Sequence, residues 1–190
     1  MNVLIRNCTI YDVTGAPAFV GSVGFERGKM RVFLPSETPQ AEQTIEASGL
    51  ALVPGFIDAH SHGDLTMTSA FATASKLSQG ITTQIAGQCG VSLFPAGGAD
   101  GGQFERFVSG IAPYPDLPED RALLSSMFGF SRWLEEISNP ITTRCFVGHG
   151  TLRLWAMGYA NRKPDVGELE RMKQMLRRCI REGALGLSTG

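Results

Sequence analysis

The chain has 190 residues, of which 43% are apolar and 18% are charged, and its formal net charge at pH 7 is -1. This balance is typical of a globular protein and gives no electrostatic basis for binding nucleic acid or an anionic membrane. No apolar run approaches the roughly 20 residues of a membrane-spanning helix. The N-terminus lacks the features of a signal peptide, so we expect a cytoplasmic protein. The four cysteines are scattered along the chain, at Cys8, Cys89, Cys145 and Cys179. We expect them to be reduced.

The first part of the chain, residues 1–51, is predicted to form a small β subdomain. Residues 3–12 and 23–34 are rich in β-branched and aromatic side chains with partial alternation. Glycines separate these runs, as they do where strands are joined by turns. The pattern therefore predicts short strands and turns up to the apolar run that begins near residue 50.

From residue 52 to residue 190, segments with strand and helix character alternate. Predicted strands cover residues 52–60, 81–87, 142–148 and 184–190, and predicted helices cover residues 67–80, 123–138 and a segment after residue 165. In the last helix, Asp165 and Glu168 form a capping-box pattern ahead of apolar residues at helical spacing. Residues 95–122 and 149–164 are predicted to be long loops. The alternation predicts a parallel α/β sheet with right-handed crossovers.

The segment PGFIDAHSH, residues 54–62, places two histidines and an aspartate at the end of an apolar run. Alternate side chains of a strand share one face, so Asp58, His60 and His62 are predicted to point the same way. Imidazole is a good ligand for zinc and similar ions, and Asp58 would orient a histidine from behind. A surface-exposed pair of histidines on an edge strand is the alternative. The apolar strand before the pair favours a metal site, at the strand end where (β/α)8 barrels place their active sites.

Cys89, a further candidate ligand, follows the strand predicted over residues 81–87. Gly87 and Gly90 flank it, which is typical of a tight turn where backbone passes close to another group. A single cysteine is more often a buried free thiol. Thiolate is, however, a strong zinc ligand. Beside the two histidines of the neighbouring strand, Cys89 is therefore a credible third ligand.

Two further polar residues lie near predicted strand ends. His149 comes just past the strand predicted over residues 142–148, and it either contacts substrate or is a hydrogen-bonded structural histidine. Asp64 either orders the loop after His62 or supports a ligand, and we favour the supporting role. The sequence leaves the choice for His149 open.

Five segments together carry a resemblance to a known family. They resemble the N-terminal part of the amidohydrolase superfamily, within the branch of D-aminoacylases (N-acyl-D-amino-acid deacylases). The segments are VLIRNCTIYDVTGAPAF, LVPGFIDAHSHGD, KLSQGITTQIAGQCGVSLFP, VGHGTLR and EGALGLSTG. They occur in the order expected of that branch and span essentially the whole chain.

The resemblance implies a fold and a chemistry. The fold is α/β: about four strand-helix units of a TIM-like (β/α)8 barrel over residues 52–190, preceded by part of a small β-sandwich over residues 1–51. His60, His62 and Cys89 match the family's metal ligands, for one or two zinc ions. The implied reaction is hydrolysis of the amide of a small N-acyl amino acid by zinc-activated water.

The resemblance also implies that the site is incomplete. The family takes two more histidine ligands and a catalytic aspartate from later strands, beyond Gly190, and His149 matches neither histidine. We therefore expect a second polypeptide that completes the barrel, or a truncated product. The alternatives are an inactive fragment or pseudoenzyme that serves as a scaffold or binding subunit, and a cyclic-amide hydrolase of the hydantoinase or dihydroorotase kind. The segment GQCG argues against the cyclic-amide enzymes, which usually carry a bridging lysine.

Overall fold

A computed structural model describes residues 1–37, 39–96 and 101–190 of the chain. They form two compact units, Met1–Gly55 and Phe56–Gly190, and the break lies shortly after the predicted boundary at residue 51. All four cysteines are free thiols, as expected, and only Cys89 is exposed. Within the described ranges, no helix has the length and apolar character needed to cross a bilayer.

The first unit is a five-stranded sheet. Its strands are β1 (Val3–Ile10), β2 (Phe19–Glu26), β3 (Lys29–Phe33), β4 (Gln43–Glu46) and β5 (Ala51–Leu52). Strands β1, β2 and β3 pair antiparallel, whereas β4 and β5 pair parallel to β1. Cys8 and Ile10, two positions apart on β1, bury on the same face against Val23 and Ala47. The prediction of short strands in this part of the chain is thereby confirmed.

The second unit is built from parallel strands and helices. The strands are β6 (Phe56–Asp58), β7 (Ile81–Ala86), β8 (Thr142–Cys145), β9 (Val147–Gly148) and β10 (Leu187–Ser188). The helices are α1 (Ala70–Ser78), α2 (Gly101–Val108), α3 (Met127–Ile137), α4 (His149–Met157) and α5 (Val166–Arg181), with 3-10 turns at Gly63–Thr66 and Arg121–Leu124. Strands β6, β7 and β8 pair in that order, β9 pairs with β10, and every pair is parallel. The predicted parallel α/β arrangement is thus observed.

The strand predicted over residues 52–60 is in fact two strands, and a single strand was the wrong prediction. Strand β5 pairs with β1 in the first unit, and β6 pairs with β7 in the second. Residues 53–55 carry the proline and glycine of the run and belong to neither strand. Proline lacks the N–H that a sheet ladder needs, and glycine weakens a strand, which explains the break.

Both predicted long loops contain helices, so those two predictions were wrong. Helix α2 lies within residues 95–122, of which residues 97–100 are outside the described part, and helix α4 begins at His149. Phe104 and Val108, one turn apart, bury one side of α2 in the core. Helix α4 begins after Gly148, which offers no side-chain cap. The sequence of these helices carries no strong local helix signal, and burial in the folded protein stabilises them.

Helix α5 forms as predicted, with a complete capping box. The backbone N–H of Glu168 donates to Asp165 Oδ1 at 2.7 Å, and the backbone N–H of Asp165 donates to Glu168 Oε2 at 2.8 Å. These bonds satisfy N–H groups that a helix start leaves free. Met172 and Cys179 are buried on the inner face, whereas Ile180 is 45% exposed.

The core of the second unit is unevenly distributed. Phe94, Phe130 and Trp133 pack with ring centroids 5.1 and 6.0 Å apart, and they are almost fully buried. By contrast, β6 and α1 expose apolar side chains: Phe56 is 56% exposed and Phe71 is 84% exposed. The buried core therefore lies among the later elements of this unit, and its first strand and first helix remain largely exposed.

Candidate metal centre

The two histidines lie in a bend that follows β6. The strand ends at Asp58, so the strand alternation does not continue as far as His62. The backbone N–H of Ser61 donates to the carbonyl oxygen of Ile85 at 3.0 Å, which holds the bend against β7. His60 is exposed and His62 is half-buried at the start of the 3-10 turn. Their ring centroids are 6.3 Å apart, and the rings are nearly perpendicular.

Cys89 lies in a tight turn directly after β7. Gly87, Cys89 and Gly90 all have positive φ angles, of 70°, 52° and 76°. A left-handed backbone is easy for glycine and unfavourable for cysteine. The hydroxyl of Ser188 on β10 anchors the turn: it accepts the N–H of Gly90 at 3.2 Å and donates to the carbonyl of Gly87 at 2.5 Å. The turn presents the thiol of Cys89 to solvent.

These elements bring His60, His62 and Cys89 together. One ligand atom from each residue lies within 4.8 Å of the others, and His60 Nε2 is 3.2 Å from Cys89 Sγ. Two imidazoles and a thiolate are a donor set that suits zinc. His62 Nδ1 is buried with no hydrogen-bond partner among the described residues. A buried nitrogen without a hydrogen-bond partner fits a metal-binding role for these residues.

The environment of His62 favours the neutral imidazole that a metal requires. Burial lowers the pKa of His62, and the positive charge of nearby His60 lowers it further. A neutral imidazole offers a lone pair, whereas an imidazolium does not. The surroundings of His62 thus disfavour protonation of this candidate ligand.

The carboxylate of Asp58 is held by a lysine of α1 and by the backbone of the bend. Its Oδ2 pairs with Lys76 Nζ at 2.6 Å, and its Oδ1 accepts the backbone N–H of His60 at 3.3 Å. Burial acts to raise the pKa of Asp58, but the hydrogen bond and charge of Lys76 outweigh it and lower that pKa. The hydrogen bond from Asp58 to His60 is thus to the backbone, and none joins Asp58 to an imidazole within the described ranges. That Asp58 orients a histidine stays a prediction, and the contact that would do so is to the backbone of His60.

Asp64 lies behind the site, with an exposure of 1%. Neither carboxyl oxygen has a hydrogen-bond partner in the described ranges. Burial raises the pKa of Asp64 to about 7, and the dipoles of nearby backbone N–H groups, those of Gly87 and Leu93 among them, only partly oppose this effect. A fully buried carboxyl does not reach a substrate in solvent, so support of neighbouring residues is the role that fits, and it stays a prediction.

His149 is the first residue of α4 and is half-buried. It is not a member of the three-residue cluster, and its ring has no hydrogen bond within the part of the chain that is described. Nearby Arg153 binds the backbone carbonyl of Arg162 at 3.0 Å. The choice between a substrate-contacting and a structural His149 therefore stays open.

Sequence reasoning missed the polar residues that support the bend. Lys76 donates to Ser61 Oγ at 2.9 Å, and Gln84 Nε2 donates to Thr143 Oγ1 at 2.9 Å. One signal was present: Gln84 interrupts the β-branched run of β7, and its side chain is 2% exposed. A buried amide within such a strand indicates a specific polar partner.

A family model described as the amidohydrolase family matches residues 43–189, a stretch that contains the whole cluster. The chain belongs to the amidohydrolase family. Among curated family relatives it is similar to the N-acyl-D-aspartate deacylase of Alcaligenes xylosoxydans xylosoxydans. The two are 32% identical over 190 residues, which cover 98% of this chain and 36% of that protein.

Two solved structures extend the comparison of this amidohydrolase chain. One is an N-acyl-D-glutamate deacylase of Bordetella bronchiseptica, complexed with zinc and a phosphonate mimic of the tetrahedral intermediate. It gives a TM-score of 0.77 at 32% identity, over 100% of this chain and 38% of that one. The other is a D-aminoacylase studied for its binuclear metal centre, with a TM-score of 0.74 at 27% identity, over 100% of this chain and 38% of that one.

The comparisons confirm the predicted family and fold class. The amidohydrolase chain matches the N-terminal region of TIM-barrel enzymes of the D-aminoacylase branch. It spans little more than a third of the length of these relatives, 36% of the curated deacylase and 38% of the solved structures.

Proposed function

We propose that this chain carries part of the active site of a zinc-dependent deacylase that cleaves N-acyl-D-amino acids into a carboxylate and an amine. The convergence of His60, His62 and Cys89 is the observation that carries the proposal. Zinc and D-aminoacylase chemistry in similar proteins support it. His60, His62 and Cys89 would hold one or two zinc ions. A zinc ion in such a site makes bound water acidic and polarises an amide carbonyl.

The remaining machinery would come from outside this chain. We assign the general base to an aspartate beyond Gly190, and the residues that recognise the acyl group and the D-amino acid to the same missing part. His149 and Asp64 would act as neighbours of the site, His149 toward the substrate and Asp64 from behind the metal ligands. Residues 1–51 would form part of a β-sandwich, and residues 52–190 the first half of the barrel.

A second polypeptide segment would complete the barrel. Ile57 on β6 is 63% exposed, and Leu187 on β10 is 41% exposed. Strand β6 pairs only with β7, and β10 only with β9, among the described strands. Apolar side chains and unpaired edges on both terminal strands are what a completing segment would cover.

Zinc binding by the cysteine variant Cys89→Gly tests the metal proposal. Glycine adopts the φ of 52° at this position without strain, so the variant removes the sulfur and keeps the turn. We expect zinc affinity to fall at least a hundredfold in equilibrium dialysis with a competing chelator, because a thiolate is the strongest of the three donors.

Cys8→Ser is the matched control for that experiment. Cys8 is buried in the first unit, where its thiol donates to the carbonyl of Gly21 at 3.5 Å, a bond that serine keeps. Its zinc affinity should equal that of the unchanged chain. Equal zinc affinity of Cys89→Gly and Cys8→Ser would reject the metal site. Hydrolysis of N-acetyl-D-glutamate on addition of the C-terminal part of a relative would support the deacylase assignment.

A further inference from the structure

Lys76 on α1 binds two residues near His60, one on each side of it in the chain. Its ammonium group is 2.6 Å from Asp58 Oδ2 and 2.9 Å from Ser61 Oγ. The lysine side chain is 19% exposed and that of Asp58 is 26% exposed, so both charges are largely removed from water. A charge-assisted bond at this distance in a part-buried setting restricts both partners more than a surface ion pair does.

Ser61 is the point through which this lysine acts on the bend. It is 8% exposed, and its hydroxyl accepts the backbone N–H of Gly63 at 2.9 Å as well as the Lys76 ammonium. The same hydroxyl donates to Gln84 Oε1 at 3.4 Å. Two acceptances and one donation use the whole hydrogen-bonding capacity of a serine hydroxyl. The orientation of Ser61 is therefore determined from three directions.

Gln84 connects this network to the sheet. Its amide nitrogen donates to Thr143 Oγ1 on β8 at 2.9 Å, and it is 2% exposed. Gly63 packs directly against the same amide, since a Cβ on Gly63 would overlap the Gln84 side chain. The segment between the two histidines is thus held against β7 and β8.

The orientation of Ser61 determines where its neighbours point. Ser61 lies between the two histidines, in the bend that follows β6. With Ser61 turned inward to Lys76 and Gln84, His60 and His62 both turn toward Cys89, and His60 Nε2 reaches Cys89 Sγ at 3.2 Å. The lysine network and the ligand cluster thus meet on one short segment, residues 58–63.

We propose that Lys76 is a positioning residue for the metal centre: by binding Asp58 and Ser61 it fixes the segment that aims His60 and His62 at Cys89. The role of the aimed histidines as ligands rests on the proposed function. Lys76 itself does not contact the metal cluster. Without its ammonium, the part-buried Asp58 carboxylate loses its partner and Ser61 loses one of its three hydrogen bonds.

Lys76→Met tests this proposal because methionine keeps the length and apolar stem of lysine but removes the charge. Lys173→Met is the matched control, since Lys173 is 50% exposed on α5 and its nearest carboxylate is 3.8 Å away. We expect Lys76→Met to bind zinc at least tenfold more weakly than Lys173→Met, as substitution of residues that orient metal ligands does. Lys76→Arg keeps the charge and should recover part of the affinity.

Amide hydrogen exchange in the metal-free chain separates this proposal from the proposed function. The N–H groups of His60 and Gly63 bond to the Asp58 and Ser61 side chains, so they should exchange at least tenfold faster in Lys76→Met, while amides of α5 stay unchanged. Unchanged exchange at His60 and Gly63, or equal zinc affinity of the two methionine variants, would overturn the role of Lys76. Absence of zinc binding by the unsubstituted chain would instead overturn the proposed function, and the exchange rates would still decide whether Lys76 holds the segment.

Discussion

Glu168, a buried residue in the first turn of α5, has a pKa that the folded structure lowers strongly. Arg162 binds both its carboxylate oxygens at 2.6 Å, and the backbone N–H of Asp165 binds one of them at 2.8 Å. The hydrogen bonds from Arg162, followed by that from Asp165, lower the pKa of Glu168 to about 2 from an ordinary value of 4.5. The folded state therefore holds this carboxylate ionised where an unfolded chain would protonate it.

We predict that Glu168→Gln lowers stability at pH 7 and that the loss shrinks under acid. A depressed pKa stabilises the fold above the unfolded value of 4.5, and the effect disappears as pH falls from 4.5 toward about 2. Urea unfolding of both proteins between pH 7 and pH 3 measures this gap. Glu170→Gln is the control, because Glu170 is 48% exposed and its ion pairs are 3.5 and 3.8 Å long. A gap for Glu168→Gln that stays constant with pH would contradict the prediction.

The elements around Cys89 meet through backbone contacts and small side chains. Ser92 N–H donates to Thr151 Oγ1 at 2.9 Å, and Thr151 Oγ1 donates back to the Ser92 carbonyl at 3.0 Å. The N–H of Gly148 donates to Ser92 Oγ at 2.9 Å. These buried bonds join the segment after Cys89 to β9 and α4. The position of the thiol thus depends on how closely these elements pack.

Gly148→Ala should disturb that packing. A Cβ at Gly148 would lie 2.5 Å from the carbonyl oxygen of Gly90, one residue from Cys89. We expect a loss of about 1–3 kcal/mol in the free energy of unfolding, typical of overpacking, together with weaker zinc binding. Denaturant titration and zinc competition on the same sample measure both effects.

Gly102→Ala is the control for Gly148→Ala, because its added methyl group lies on a helix. Gly102 lies in α2, and among the described residues beyond its own helix and chain neighbours no atom lies within 4 Å of an added Cβ. Alanine should therefore raise stability by about 0.5–1 kcal/mol. Zinc affinity should not change. If Gly148→Ala behaved like Gly102→Ala, close backbone packing would not control the cysteine turn.

At the scale of the whole second unit, the first strand and first helix expose large apolar side chains, and so does the segment that leads into the last strand. Phe56, Ile57 and Phe71 are 56%, 63% and 84% exposed, and Leu185 is 47% exposed at the other end. Large exposed apolar side chains on terminal elements are the kind of surface that another chain covers. Without its completing segment, the chain is therefore expected to associate with itself.

We predict that Phe71→Ser reduces this self-association in sedimentation velocity. Burying a phenylalanine contributes about 1.5–3 kcal/mol, so the association constant should fall about tenfold or more. Val166→Ser is the control, since Val166 is 87% exposed on α5, an element other than β6 and α1. Equal association of the two variants, or a monomeric unsubstituted chain, would contradict the proposed open face.

The sequence by itself determined the parallel α/β order, the capped start of α5 and the three cluster residues. Those features depend on local pattern: strand and helix periodicity, a capping box at Asp165, and histidine and cysteine at successive strand ends. Local pattern could not place α2 and α4, because the burial of residues such as Phe104 and Leu152 stabilises them.

Tertiary structure also decided the direction of each polar side chain at the site. The alternation rule placed Asp58 beside the histidines, whereas its ion pair with Lys76 turns it toward α1. The amide of Gln84 finds its partner on β8, 59 residues away in the chain. The physical reason is that a buried charge or amide requires a partner, and only the folded chain brings that partner within hydrogen-bonding distance.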